Sequence, residues 1–236
     1  MRTNHTKTHP LVKELQVVFS SHADSTKSVE MSRYMKNHFS FYGISKPQRA
    51  VIQKPFIGMC KAQKSSELIP VVSQLWKLPE RENQYTCLDI LDAARRQADD
   101  DMFKVYIELV TDKSWWDTVD ILASNLIGGY CMQKHKDYKP MFIEFSMHDN
   151  IWLNRVALLH QLKYKHRTDE KLLIDCISNC KHKKEFFVQK AIGWALRQHS
   201  RINPAFIKRY CDKHALSNLA RREALKIISS AKMNKV

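Results

Sequence analysis

The chain has 236 residues, 44% of them hydrophobic and 27% charged, with 39 Lys and Arg against 24 Asp and Glu for a formal charge of +15. That length and apolar content suffice for a sizeable core, and the composition argues against wholesale disorder. Only 5 Gly and 7 Pro are present, which disfavours a turn-hungry, strand-rich fold, and the basic excess points towards nucleic acid ahead of an acidic membrane or plain solubility.

In chain order, MRTNHTKTHP is polar, has no apolar core of a signal peptide, and reads as a loose tail over residues 1–9. Helical periodicity then begins at Leu11–Phe19, with Pro10 near its start. A second helix is expected from Ser25 through Val29, Tyr34 and Phe39, and a third from Pro47 to Cys60. Further helices are expected near 65–77, 80–97, 101–111, 115–130, 137–147, 150–165, 169–180, 184–199, 203–213 and 217–231, before a short tail at 232–236. Asp149–Asn150, Thr168–Asp169 and Asn203–Pro204 each precede an apolar run in the manner of an N-cap. No stretch approaches the ~20 apolar residues of a membrane span, so a cytoplasmic protein with no membrane partner is expected. The six cysteines (60, 87, 131, 176, 180, 211) are scattered and read as reduced, packed thiols. Cys176 and Cys180 stand at C-x3-C with no second pair, which favours core packing over a zinc site.

Four segments share one shape: RENQYTCLDIL from Arg81, KSWWDTVDILA from Lys113, DNIWLNRVALL from Asp149 and KEFFVQKAIGWAL from Lys184. ARREALKII from Ala220 is a weaker fifth. The spacing is roughly 32–36 residues with one more helix between copies, the period of a two-helix solenoid unit. The tetratricopeptide residue pattern is absent, so the expected fold is all-α: one HEAT-like α-solenoid domain over residues 10–231, with the second helices lining a concave basic surface able to bind DNA.

On those equivalent helices, Trp116 and Asp120 share a face at i, i+4, and Trp152/Arg155 and Trp194/Arg197 share faces at i, i+3. An indole on such a helix is ordinarily core and an arginine ordinarily solvated. A carboxylate between Val119 and Ile121 is unfavourable unless paired or facing a functional groove. Lys113, Arg155, Lys190 and Arg197 belong to a basic cluster able to contact phosphates. No phosphate-cradling glycine loop, H-E-x-x-H, nucleophile elbow or iron–sulfur cysteine set occurs. Any catalysis would then rest on a carboxylate, aromatics and cations, with no metal and no cofactor.

MSRYMKNHF (31–39), LPEREN (78–83), TDKSWWDTVD (111–120), DNIWLNRVALLHQLKYK (149–165) and KEFFVQKAIGWALR (184–197), occurring in this order, resemble the AlkD-type bacterial DNA alkylation-repair glycosylases. The resemblance runs from about Leu11 to about Ile228, and 51–74 diverges. It implies a HEAT-like solenoid that excises cationic alkylpurines, such as N3-methyladenine and N7-methylguanine, from duplex DNA without a base-flipping pocket. It implies a catalytic carboxylate at Asp120, aromatic residues flanking the lesion at Trp116 and Trp194, a phosphate-binding arginine at Arg155, and further DNA contacts at Tyr34 and Arg197. The expected partner is alkylated double-stranded DNA and the expected state a monomer in the bacterial cytoplasm. The rival expectation from the same residues is a non-catalytic HEAT-like scaffold for nucleic acid or protein.

Overall fold

The structure, a computed structural model, describes residues 8–134 and 137–233, with residues 230–233 described by backbone alone. The tails expected at 1–9 and 232–236 lie outside the described residues over 1–7 and 234–236. His9 is placed, its backbone N–H donating to Gln74 Oε1 at 2.7 Å.

The described residues are helical, and their one β pairing is an isolated bridge between Ser40 and Glu80. The chain packs as two compact units, residues 1–105 and 106–236. No described helix is long and apolar enough to cross a membrane.

The first unit holds α1 (Pro10–Ser21), α2 (Ser25–Tyr34), α3 (Lys46–Ile52), α4 (Lys54–Cys60), α5 (Ser65–Lys77), α6 (Arg81–Ala94) and the start of α7 (Asp100–Thr111). Two expected helices are corrected here. The second stops at Tyr34 rather than reaching Phe39, because Lys36 and Asn37 both take φ of 59°, a left-handed pair that no helix accommodates. The expected 47–60 helix is two, α3 and α4, because Pro55 has no amide hydrogen with which to continue the ladder. α5 packs on α1 and α6, and α6 also packs on α4. Leu15, Phe19, Leu68, Leu75, Trp76 and Leu88 are fully enclosed. α6 also buries a carboxylate: Glu82 accepts the N–H groups of Tyr42, Gly43 and Ile44 at 3.1, 2.9 and 3.0 Å, which fixes the preceding loop. Gly43 is required there, at φ 88°, because a Cβ would lie only 2.1 Å from the Asp24 carbonyl oxygen.

The second unit continues α7 and adds α8 (Trp116–Ile121), a π-helical turn (Leu122–Ile127) and α9 (Gly128–Gln133), which run on as one rod. It continues through α10 (Lys139–Met147), α11 (Ile151–Leu159), α12 (Glu170–Cys180), α13 (Phe186–His199), α14 (Pro204–Lys213) and α15 (Asn218–Met233). α11 packs against α8 and its π-turn on one side and α13 on the other, and α13 packs against α15. α10 and α12 pack on each other and on α11, while α14 packs on α13 and α15. This two-layered succession is the packing of an α-solenoid, each helix pair burying its apolar face against the next. α11 ends at Leu159, short of the expected 165, where the chain turns through a 3₁₀ segment in which Lys165 has φ 55°.

The polar helix starts are built as caps. Asn150, Asp169 and Asn203 side chains accept from the N–H groups of Trp152, Leu172 and Phe206 at 2.9, 3.0 and 3.1 Å. Caps of this kind contribute about 1 kcal/mol each. Cys176 and Cys180 are buried, their thiols facing the Phe142 and Ser146 carbonyls, and burial pushes both up to about 12.

Candidate active site

The site begins at the turn between α7 and α8. The Ser114 hydroxyl donates to the Val110 carbonyl at 2.7 Å and Lys113 takes φ of 48°, which ends α7 and reverses the chain. Trp115 follows in extended conformation as the residue capping α8, so the two adjacent indoles leave in different directions. The Trp115 ring lies 5.6 Å from that of Trp152 and 5.0 Å from that of Phe187, and Trp152 and Phe187 are 5.3 Å apart. Three helix beginnings, of α8, α11 and α13, are thus joined by one aromatic cluster, with Phe186 exposed at its edge. Trp116 opens α8 half-buried, one turn before Asp120. Asp117 occupies the first turn, where a carboxylate is favoured by the helix dipole.

Asp120 is mostly buried and doubly bound. Arg155 Nε donates to Oδ1 at 2.6 Å and Nη2 donates to Oδ2 at 2.9 Å, a bidentate pair across 35 residues of sequence. The remaining terminal nitrogen, Nη1, donates to the Phe187 carbonyl at 2.7 Å. Arg155 was expected at a phosphate, but it is only 4% exposed, with each guanidinium nitrogen engaged on Asp120 or α13. It lies where the carboxylate needs a counter-charge: an unpaired carboxylate at that depth would be strongly unfavourable, and a planar guanidinium matches both of its oxygens. Burial pushes the Asp120 carboxyl above the usual aspartate range, Arg155 opposes that through its hydrogen bonds and charge, and Asp117 adds a smaller upward push. The result is an oriented carboxylate with little water around it, suited to stabilising positive charge or holding a water molecule.

The other expected residues fall in three places. Lys190, Trp194 and Arg197 share one face of α13, and Trp194 is half-buried there. Trp194 lies seven residues beyond Phe187, about 10 Å along the helix. Lys190 Nζ and Arg197 Nη1 both donate to Glu223 of α15, at 2.7 and 2.6 Å to its two oxygens. Lys113 stands half-buried in the turn before Trp115. Tyr34 belongs to the first unit, at the end of α2, and is 72% exposed.

Two participants escape a reading of the sequence. Phe187 supplies both a ring to the aromatic cluster and a carbonyl to Arg155, and a carbonyl has no sequence signature. Glu223 was legible in one respect, being the one acidic residue of α15, but its partners lie 33 and 26 residues away.

No curated protein matches the chain. A solved structure described as a predicted DNA alkylation repair enzyme from Enterococcus faecalis superimposes with a TM-score of 0.81 at 32% identity, over 86% of this chain and 95% of that one. The family model described as DNA alkylation repair enzyme matches residues 15–228. The chain therefore belongs to the DNA alkylation repair enzyme family.

Proposed function

We propose that this protein is a monofunctional DNA glycosylase of the AlkD-type, HEAT-like class, hydrolysing the N-glycosidic bond of cationic alkylpurines in duplex DNA. The observation that carries this reading is the buried Asp120 carboxylate, fixed at both oxygens by Arg155 beside Trp116 and the aromatic cluster. An N-alkylated purine already bears positive charge and leaves without a general acid. Departure develops oxocarbenium character on the deoxyribose, as in sugar hydrolysis. A carboxylate held against that charge in a water-poor site stabilises it and positions the attacking water. Trp116 and Trp194 are assigned to flank the lesion nucleotide, where indole faces attract a cation by about 0.5–2 kcal/mol each.

Arg155 serves in this reading as a positioning residue for Asp120. Phosphate contact falls to Lys190 and Arg197 on α13, with Lys113 and Tyr34 as further DNA contacts. Selectivity comes from the intrinsic lability of the cationic lesion, so no pocket for an extruded base is required.

The deciding experiment incubates 7-methylguanine-containing duplex with wild type and Asp120→Asn and measures free base. Release by wild type and its loss by a factor of about 10²–10⁴ in the variant, with duplex binding retained, are expected. Undiminished release by Asp120→Asn would remove the carboxylate assignment, and no release by wild type would return the protein to the non-catalytic scaffold reading.

A further inference from the structure

Glu223 is out of place by charge. It is the single acidic residue of α15, between Arg222 and Ala224, and it points at the one face of α13 that carries Lys190 and Arg197. Each carboxylate oxygen takes one charge-assisted bond, 2.7 Å from Lys190 Nζ and 2.6 Å from Arg197 Nη1. The contact is built into the packing. Gly193 lies between the two cations on α13, and a Cβ there would come within 2.5 Å of Glu223 Cβ and 2.8 Å of the Ala220 carbonyl. Only glycine lets α15 approach closely enough for a glutamate to span both.

An anion held by one lysine and one arginine, with one oxygen on each, has the geometry of phosphate recognition. The two cations stay partly exposed, Lys190 at 39% and Arg197 at 25% of their side-chain surface, while Glu223 is at 13%. Lysine has two further N–H donors and arginine four, so the pair keeps donors for a second anion. We propose that Lys190 and Arg197 form a phosphodiester site in which Glu223 stands as an internal occupant, competing with the DNA backbone and lowering affinity for undamaged duplex. This rests on the DNA-binding reading given above and adds to it a residue that restrains binding. The physical sense is turnover: a protein with a formal charge of +15 binds any duplex through counterion release, and one internal anion at the contact weakens that indiscriminate term.

The test uses full-length wild type, Glu223→Gln and Glu223→Asp, with a labelled undamaged duplex titrated by fluorescence anisotropy across a salt series. Glu223→Gln keeps the volume and frees both cations, so binding is expected to tighten about three- to tenfold near 0.15 M salt, with the slope of log K against log salt steeper by about one. Glu223→Asp is one methylene too short to span the pair and should move both readouts in the same direction by less. Combining Glu223→Gln with Arg197→Gln and Lys190→Gln should abolish the tightening, because neither cation of the proposed phosphodiester site is left to release. If Glu223 is only a staple between helices, its variants bind no tighter and the salt slope is unchanged, which overturns the proposal. Weaker binding in Glu223→Gln overturns it equally, as would any tightening that persists without Lys190 and Arg197. Should Glu223→Gln fail to fold, Glu223→Asp decides on the same two readouts. A wild type and Glu223→Gln that both ignore duplex DNA would sink the DNA-binding reading itself, and this inference with it.

Discussion

At the scale of single residues, the proposed chemistry rests on Asp120 and Arg155. In the proposed reaction the carboxylate acts ionised, and its pKa lies above the ordinary aspartate value because burial outweighs Arg155. Rate should therefore rise with pH through an acid limb placed above the usual value of ~3.9. Asp117→Asn removes one of the upward pushes, so the limb should move to lower pH in that variant, measured as kcat against pH on methylated duplex. Arg155→Ala leaves a buried carboxylate without its counter-charge. The expected consequence is destabilisation of about 3–5 kcal/mol in denaturant melts, together with loss of base release. Arg155→Lys should recover part of the stability and less of the rate, since an ammonium cannot hold two oxygens in one plane. The sequence placed Asp120 and Arg155 on equivalent helices and so within reach of each other. It could not show that the arginine would turn inward, because that depends on the burial of Asp120 and on a carbonyl of α13. The two adjacent tryptophans point apart because extended backbone at Trp115 precedes helix at Trp116.

Helix contacts, next, are decided by a few small residues at the scale of elements. Gly128 and Gly129 are adjacent in α9 and should answer to alanine in opposite ways. A Cβ on Gly128 would fall 2.1 Å from the His160 carbonyl oxygen of the neighbouring chain segment, whereas Gly129 has nothing within 4 Å. Gly128→Ala should destabilise by about 1–3 kcal/mol through forced separation of the helices. Gly129→Ala should stabilise by about 0.5–1 kcal/mol through helix propensity alone, and thermal melts of the two variants check both signs. α6 repeats the spacing of α8: Tyr85 and Asp89 stand at i, i+4, and buried Arg49 reaches Asp89 Oδ2 at 3.4 Å and stacks 4.7 Å above the Tyr85 ring. Gln53 Nε2 also donates to Asp89 at 2.6 Å, so this copy ties α3 to α6 within the first unit. Asp89→Asn is expected to lower stability while leaving base release intact, in contrast to Asp120→Asn. The helices themselves were largely visible in apolar periodicity and caps. The break at Pro55 was visible only as a proline, which ends some helices and opens others, as Pro204 does here.

Acid sensitivity of folding is a property of the whole molecule and has a named source in the second unit. His160 is fully enclosed, stacked 3.5 Å from the Phe142 ring, with Nδ1 2.8 Å from the Ala157 carbonyl. Burial lowers it from 6.5 to about 4, although its hydrogen bond opposes the shift. The unfolded chain then binds a proton in this window that the folded one refuses. Stability of the second unit should fall by roughly 3 kcal/mol as pH drops from neutrality to 4, and His160→Gln should flatten that slope in urea melts run across the window. The solenoid class was legible from a repeat of helix pairs, and the all-helical structure agrees with it. The wider turn at Leu122–Ile127 was not, because a ladder that skips one extra residue draws on no special residue type. Within it the Ser124 hydroxyl donates to the Asp120 carbonyl at 2.8 Å. That turn makes the rod bearing the carboxylate a place where chain length is negotiable. Removing Asn125 should let the ladder close as an ordinary helix, keeping Asp120 on Arg155 and Gly128 on His160. Removing a single residue from α11 ahead of Arg155 would instead swing the guanidinium about 100° around its axis and end base release.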